Sequence, residues 1–250
     1  MDPFTLAPLA ALLGFVYSLV SGLAALVTPL AGAAAAALAI VVLTLIVRTL
    51  LIPVSISQVK AEWHRRRIAP KLKALQDKYK KKPQVLQEKT MALYKAENVS
   101  PFAGFLPTLL QAPVVSLVYA LFLHPTIAGA PNALLTAQLG PVTLGSSVFT
   151  AGWPGVLVFA AILAAMAVVA WLSRRTALRL ALPGTDASAP LARALSWLPF
   201  LSVVFAAFVP LAAALYLATT TAWTLAERAL LRRRYWGEAG VAGVPAASPR

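Results

Sequence analysis

The chain has 250 residues, of which 60% are hydrophobic and only 12% charged, about half the charged share of an ordinary soluble domain. Its 22 Lys and Arg outnumber 8 Asp and Glu for a formal net charge of +14, and it has no Cys. These figures exclude a typical cytosolic enzyme, a disulfide scaffold and a thiolate metal site, and they argue for an integral membrane protein.

Met1-Asp2-Pro3-Phe4 lacks a basic leader and no small-x-small cleavage site is clear, so no removable signal peptide is expected. Residues 1–29 are read as an external surface helix that turns at Pro29. An extra span is the alternative for 4–27, although Gly14, Ser18, Ser21, Gly22 and Thr28 dilute the segment and no cation marks an inner end. Residues 30–55 form the first predicted membrane helix. Residues 56–99 read as a basic cytoplasmic helical hairpin turning at Lys80-Lys81-Lys82-Pro83. Leu72, Leu75 and Tyr79 on one arm, and Leu86, Thr90 and Leu93 on the other, give each a narrow seam. Pro70 is expected to kink or restart the first arm. Arg65, Arg66, Arg67, Lys71, Lys80, Lys81 and Lys82 are placed on its basic outer face as recruitment residues. That face fits a solvated surface near anionic headgroups or charge-only contact with ribosomal RNA; sequence-specific nucleic-acid binding is not expected.

Ser100-Pro101 opens the second span, 100–123. An external loop at 124–152, a third span at 153–173 and a cytoplasmic loop at 174–193 follow. Residues 194–232 hold the fourth and fifth spans, with a tight outer turn at Phe208-Val209-Pro210. The cytoplasmic tail is 233–250. Twelve cations lie between Lys60 and Lys95, four are Arg174, Arg175, Arg179 and Arg193, and five are Arg228, Arg232, Arg233, Arg234 and Arg250. Five spans place all 21 on the inner side, with the N-terminus outside and the C-terminus in the cytoplasm.

The remaining cation, Arg48, stands inside an apolar run. An Arg at a helix centre costs roughly 2.5–3.5 kcal/mol to insert. It either snorkels to the inner headgroups or faces a water-filled cavity. Thr44, Arg48 and Ser55 share a helical face, as do Thr108, Gln111 and Tyr119, and as do Tyr216, Thr219, Thr220 and Trp223. Three polar stripes, with the nearest acids, Glu62 and Glu227, only near the ends of the spans, favour a wet groove lined by these residues, with room for something anionic.

No phosphate loop and no His-Glu-x-x-His is present. Gly145-Ser146-Ser147 with His124 is too weak to mark a serine protease, and Asn98-Val99-Ser100 reads as the start of a helix. No catalytic residue, metal or cofactor is expected.

The run Val42-Leu43-Thr44-Leu45-Ile46-Val47-Arg48-Thr49-Leu50-Leu51-Ile52-Pro53 resembles the first core helix of the YidC/Oxa/Alb membrane-protein insertases. Leu75-Gln76-Asp77-Lys78-Tyr79, Pro101-Phe102-Ala103-Gly104-Phe105-Leu106-Pro107 and Leu110-Gln111-Ala112-Pro113 are also similar to that family. Pro210-Leu211-Ala212-Ala213-Ala214-Leu215-Tyr216 resembles its Pro-Ala-Gly-Leu-x-Leu-Tyr segment. The length resembles the short Gram-positive bacterial form. The resemblance implies an all-α protein with five transmembrane helices around a hydrophilic groove open to the cytoplasm. It implies Arg48 in that groove, lined by Thr44, Gln111 and last-span aromatics, and an external surface helix and mobile hairpin. It also implies a bacterial plasma-membrane location and an insertase and chaperone role, with nascent chains, the bilayer, ribosomes and the Sec translocon as partners. Tyr216-Leu217 departs from the family's frequent aromatic pair, and Thr219-Thr220-Thr221 from its frequent Asn. A small anion transporter or channel and a non-translocating assembly scaffold are the rival readings, but no internal repeat or paired coupling carboxylates support a transporter.

Overall fold

The computed structural model describes residues 7–97, 116–117, 119–127, 129–181 and 190–241. Helix α1 (Ala7–Ala31) leads through a 3-10 turn (Gly32–Ala34) into α2 (Ala35–Leu50). Helices α3 (Ile52–Tyr79) and α4 (Pro83–Ala96) follow. Helical residues 119–123 precede β1 (Thr126–Ile127), β2 (Ala130–Pro131), the one-turn helix α5 (Ala133–Thr136), β3 (Gln138–Leu139) and β4 (Val142–Thr143). Then come α6 (Gly152–Arg179), α7 (Pro190–Leu195), α8 (Leu198–Phe208) and α9 (Leu211–Val241). Among the described residues, two helical stretches, Pro8–Leu50 and Gly152–Arg179, are long and apolar enough to cross a membrane, and Leu198–Phe208 is a shorter apolar helix.

The chain divides into two compact units. The first comprises Met1–Leu50, Gln111–Leu172 and Leu198–Leu225; the second comprises Leu51–Leu110, Ser173–Trp197 and Ala226–Arg250. Arg48 is the only Lys or Arg in the first unit, and the other 21 cations belong to the second. Charge and packing therefore partition the chain in the same way.

In the first unit, α1 packs on α2, and Leu13 and Val20, seven residues apart on one face of α1, are buried in its core. Ala36, Ala37, Ala39, Ile40, Phe159, Met166 and Leu211–Ala214 belong to the same buried cluster. The outside of this unit is apolar too: Phe15, Leu26, Leu30, Leu157, Val168, Leu201 and Phe205 are all exposed. A continuous cover of this kind suits lipid rather than water.

Several local features depart from the sequence expectation. The turn after α1 falls at Gly32, where φ is +53°, and α1 runs through Pro29. Glycine reaches that left-handed backbone without a Cβ penalty. The segment expected as a plain external loop, 124–152, carries two antiparallel hairpins, Thr126↔Pro131 with Ile127↔Ala130 and Gln138↔Thr143 with Leu139↔Val142. The buried Asn132 side chain organises this segment. It donates to the Leu121 and His124 carbonyls and accepts from Leu134 N–H at the start of α5.

The same segment caps α9. The first N–H groups of a helix have no partner of their own. Leu211 and Ala212 donate to the Ser146 and Leu144 carbonyls, both at 2.9 Å. Gly145 lies between these acceptors, and a Cβ on it would stand 2.8 Å from the Leu135 carbonyl oxygen. Only glycine allows that approach.

In the second unit, α3 is one helix by backbone despite Pro70, and it begins at Ile52 after a non-helical Leu51. It packs on α4 across the Lys80–Lys82 turn. The partly buried residues of that hairpin include Leu72, Leu75 and Tyr79 on α3 and Leu86, Thr90 and Leu93 on α4. Helix α9 continues through residues 233–241, beyond the expected end of the fifth span, and its regular backbone breaks at Gly237 (φ +69°).

Candidate functional site around Arg48

Arg48 sits two residues before Leu50, the last residue of α2, half-buried in the apolar unit. Its Nε donates to Thr220 Oγ1 of α9 at 3.1 Å. It makes no ion pair with any described residue. Nε is one of five N–H donors on a guanidinium, so this bond orients the group without exhausting it.

The threonines around it behave differently. Thr44 is buried, and its hydroxyl donates to the Ile40 carbonyl one turn back. Thr219, Thr221 and Thr224 bond back to Leu215, Leu217 and Thr220 carbonyls in the same way. Such back-bonds satisfy the hydroxyl within its own helix. Thr220 is the one in this stretch whose oxygen accepts from another helix. Tyr216, one turn before it, is buried in the unit's core. Trp223 is half-buried, and its Nε1 donor is buried with no hydrogen-bond partner. Tyr119 is half-buried against the same core.

Of the predicted groove residues, Arg48, Thr44, Tyr119, Tyr216, Thr220 and Trp223 thus fall in one unit, with Arg48 and Thr220 in direct contact. Thr108 and Gln111 lie outside the described residues. Ser55 is buried in α3 of the other unit.

The basic hairpin also differs in detail. Arg67 and Lys71 are exposed and both pair with Glu97, just beyond α4, Arg67 at 3.0 Å. These two cations, led by the Lys71 hydrogen bond, hold the Glu97 carboxyl below the ordinary glutamate range. Lys80, Lys81 and Lys82 are exposed at the turn. Arg66 is not on the outer face: it is only 7% exposed. It donates to the Leu180 carbonyl at 2.7 Å, just past the end of α6, where the helix dipole favours a cation. Burial lowers its pKa, opposed by Glu62 and reinforced by Arg232, yet an arginine stays charged at any physiological pH. Arg65 is half-buried, with Nη2 buried and without a hydrogen bond.

Sequence reading missed the partners of Arg66. Trp236 is buried, lies with Arg66 and Arg232 at 5.7 and 5.3 Å from its ring, and donates from Nε1 to the Val59 carbonyl at 3.1 Å. Its ring centroid is 5.8 Å from that of Trp63. Arg232 binds both Glu62 oxygens, at 2.9 and 3.1 Å. The available signal was spacing: Glu62 and Arg66, and Arg232 and Trp236, are each four apart on a helix.

The family model described as 60Kd inner membrane protein matches residues 27–238, a stretch that includes Arg48, the hairpin and Trp236. The chain belongs to this family. It is similar to a Clostridium perfringens protein named Membrane protein insertase YidC, 34% identical over 117 residues, covering 47% of this chain and 49% of that one. It is also similar to a Burkholderia mallei protein of the same name, 35% identical over 120 residues, covering 44% of this chain and 22% of that one. The matches thus span about half the length, or less, of these curated relatives. Family membership and the apolar helices make this a bacterial membrane protein.

Proposed function

We propose that this chain is a membrane-protein insertase and chaperone that passes nascent membrane proteins from the cytoplasm into the bilayer along a hydrophilic groove. The observation that carries the reading is Arg48. It is the only Lys or Arg of an otherwise apolar unit, and it is held by a threonine hydroxyl rather than neutralised by an acid. Thr44, Gln111, Tyr119, Tyr216, Thr220 and Trp223 line the groove in this reading.

No covalent chemistry is needed. A partly hydrated groove shortens the apolar distance that a polar segment must cross. Arg48 attracts an acidic outer segment of the incoming chain, more strongly where water is partly excluded. The substrate helix then leaves sideways into lipid, gaining ~0.8 kcal/mol per buried CH₂. A membrane potential adds ~2.3 kcal/mol per charge per 100 mV.

The topology that suits this mechanism has five spans, an outer N-terminus and a cytoplasmic C-terminus. The likeness of names to insertases and the segregation of 21 cations support it. A surface position for α1 is supported by its neighbours. Tyr17, mid-helix, accepts from Ala133 N–H at 3.4 Å, and the Gly32–Ala34 turn packs against β3. The middle of α1 and the turn that follows it thus both meet the 126–143 segment, so the helix runs along that segment rather than away from it. The exposed cations of the hairpin recruit the nascent-chain machinery, with ribosome and Sec translocon as partners.

The test is insertion of a single-span substrate by the purified protein in liposomes, scored by protease protection. Insertion above protein-free liposomes is expected. Flux of a small anion without any insertion would replace this reading with a transporter, and neither activity would leave a scaffold.

A further inference from the structure

We infer that Trp236 is a latch that fixes the root of the basic hairpin, so that bending is confined to the part of α3 beyond Ile68. Four contacts converge on the ring: Arg66 and Arg232 beside it, Trp63 against it, and the Val59 carbonyl on its Nε1. Arg66 extends the junction to Leu180 at the end of α6, and the Glu62–Arg232 pair closes it on the α9 side. An arginine over a ring and an Arg232 Nη2 shared between both Glu62 oxygens tie α3 to α9 at two points, so together they limit the rotation of α3 as well as its position.

Two further observations mark where the latch ends. Buried residues of α3 are Ser55, Val59, Ala61, Arg66 and Ile68, with none beyond, and α4 has none. Pro70 then follows, and its missing N–H removes the bond that the Arg66 carbonyl would accept. At the other end, Gly237 breaks the regular backbone of α9 immediately after Trp236. The ring is therefore the last side chain that the regular part of α9 positions. The latch lies wholly within one compact unit and does not depend on the insertase reading.

Hydrogen exchange on the full-length protein in lipid nanodiscs tests this, because it reads local opening without any insertion assay. In wild type, amides 61–68 should exchange at least about 100-fold more slowly than amides 84–95. Trp236→Ala should bring 61–68 to within about 10-fold of the distal arm and leave 157–170 of α6 unchanged. Trp236→Phe keeps a ring but loses the Nε1–H bond and should fall between. If Trp236→Ala proves too unstable to purify, Glu62→Gln, which removes the charge that Arg232 Nη2 binds, should raise exchange at 61–68 by about 3- to 10-fold. Equal exchange of root and distal arm in wild type would overturn the inference. So would a root that neither Trp236→Phe nor Glu62→Gln accelerates.

Discussion

Arg48→Ala removes the single cation of the apolar unit, and its effect should depend on the charge of the substrate. The guanidinium is half-buried and carries one hydrogen bond, to Thr220, so it is neither in bulk water nor in a dry interior. At an effective dielectric between about 20 and 40, a substrate carboxylate ~6 Å away gains roughly 1.4–2.8 kcal/mol. That is about 10- to 100-fold in rate if the attraction is felt in the crossing step. Insertion of a substrate with an acidic translocated segment should fall by that factor, and insertion of its neutralised twin by less than about 3-fold. Arg48→Lys keeps the charge but not the planar fork, and should retain most of the activity on both. The assay is liposome insertion of the two substrates by the three proteins at equal reconstitution. Equal insertion of the acidic substrate by all three would refute the charge mechanism and leave Arg48 as a headgroup anchor. Equal loss for both substrates in Arg48→Ala would locate its role in groove hydration or shape.

Thr220→Val leaves the charge but removes the oxygen that holds it; acidic-substrate insertion should fall about 3- to 10-fold, and Arg48→Ala/Thr220→Val should be no worse than Arg48→Ala. Single Cys residues at Ser18 and Ser146 should react with an impermeant thiol reagent from outside and those at Gln76 and Ala187 should not; reaction of position 18 only from inside would remove the surface-helix assignment. The base of the hairpin should loosen in acid: Glu97 titrates below its unfolded value, so its contribution is full above the ordinary carboxylate range and is lost as pH falls through the lowered value. Hydrogen exchange at 90–96 should rise with acidification beyond the intrinsic rate change in wild type, and not in Glu97→Gln. Gly145→Ala drives a Cβ toward the Leu135 carbonyl at 2.8 Å and should cost about 1–3 kcal/mol, read as a lower Tm in detergent.

Periodicity and charge made the helices legible because lipid and water sort side chains strongly over 20 or more residues. Arg48 stood out for the same reason. What escaped were features decided by a few atoms. Strands of two residues cannot show alternation, so the hairpins at 126–131 and 138–143 left only glycine as a trace, at Gly129 and Gly140, both with positive φ. Nor could sequence choose among Thr219, Thr220, Thr221 and Thr224. Each is able to bond back to its own helix, and only the direction of Thr220 toward α2 frees its oxygen for Arg48. Trp236 was hidden by its setting. A tryptophan among three arginines and a glycine reads as tail until Val59, Trp63 and Arg66 are seen around it.

The choice of a hydroxyl for Arg48 has a consequence for any function that needs its charge. A carboxylate in the position of Thr220 would make a stronger bond, and replacing a buried pair member is costly. It would also cancel the field that the cation casts into the apolar unit, because a close pair is a dipole whose effect decays faster than that of a charge. Thr220 accepts one N–H and leaves the net charge intact. The bond is therefore weaker than that of an ion pair, and the cation is left more attractive to an anion. That arrangement fits the anion-attracting role proposed for Arg48. The same contrast runs through the second unit, where Arg232 does have its carboxylate, Glu62, and where the pair sits in a packed junction. In that second unit Arg232 is paired with an acid and Arg66 with a helix end, while Arg174 Nε donates to the Ser196 hydroxyl at 3.1 Å; Arg48 is held by a hydroxyl inside an apolar unit, with its charge preserved.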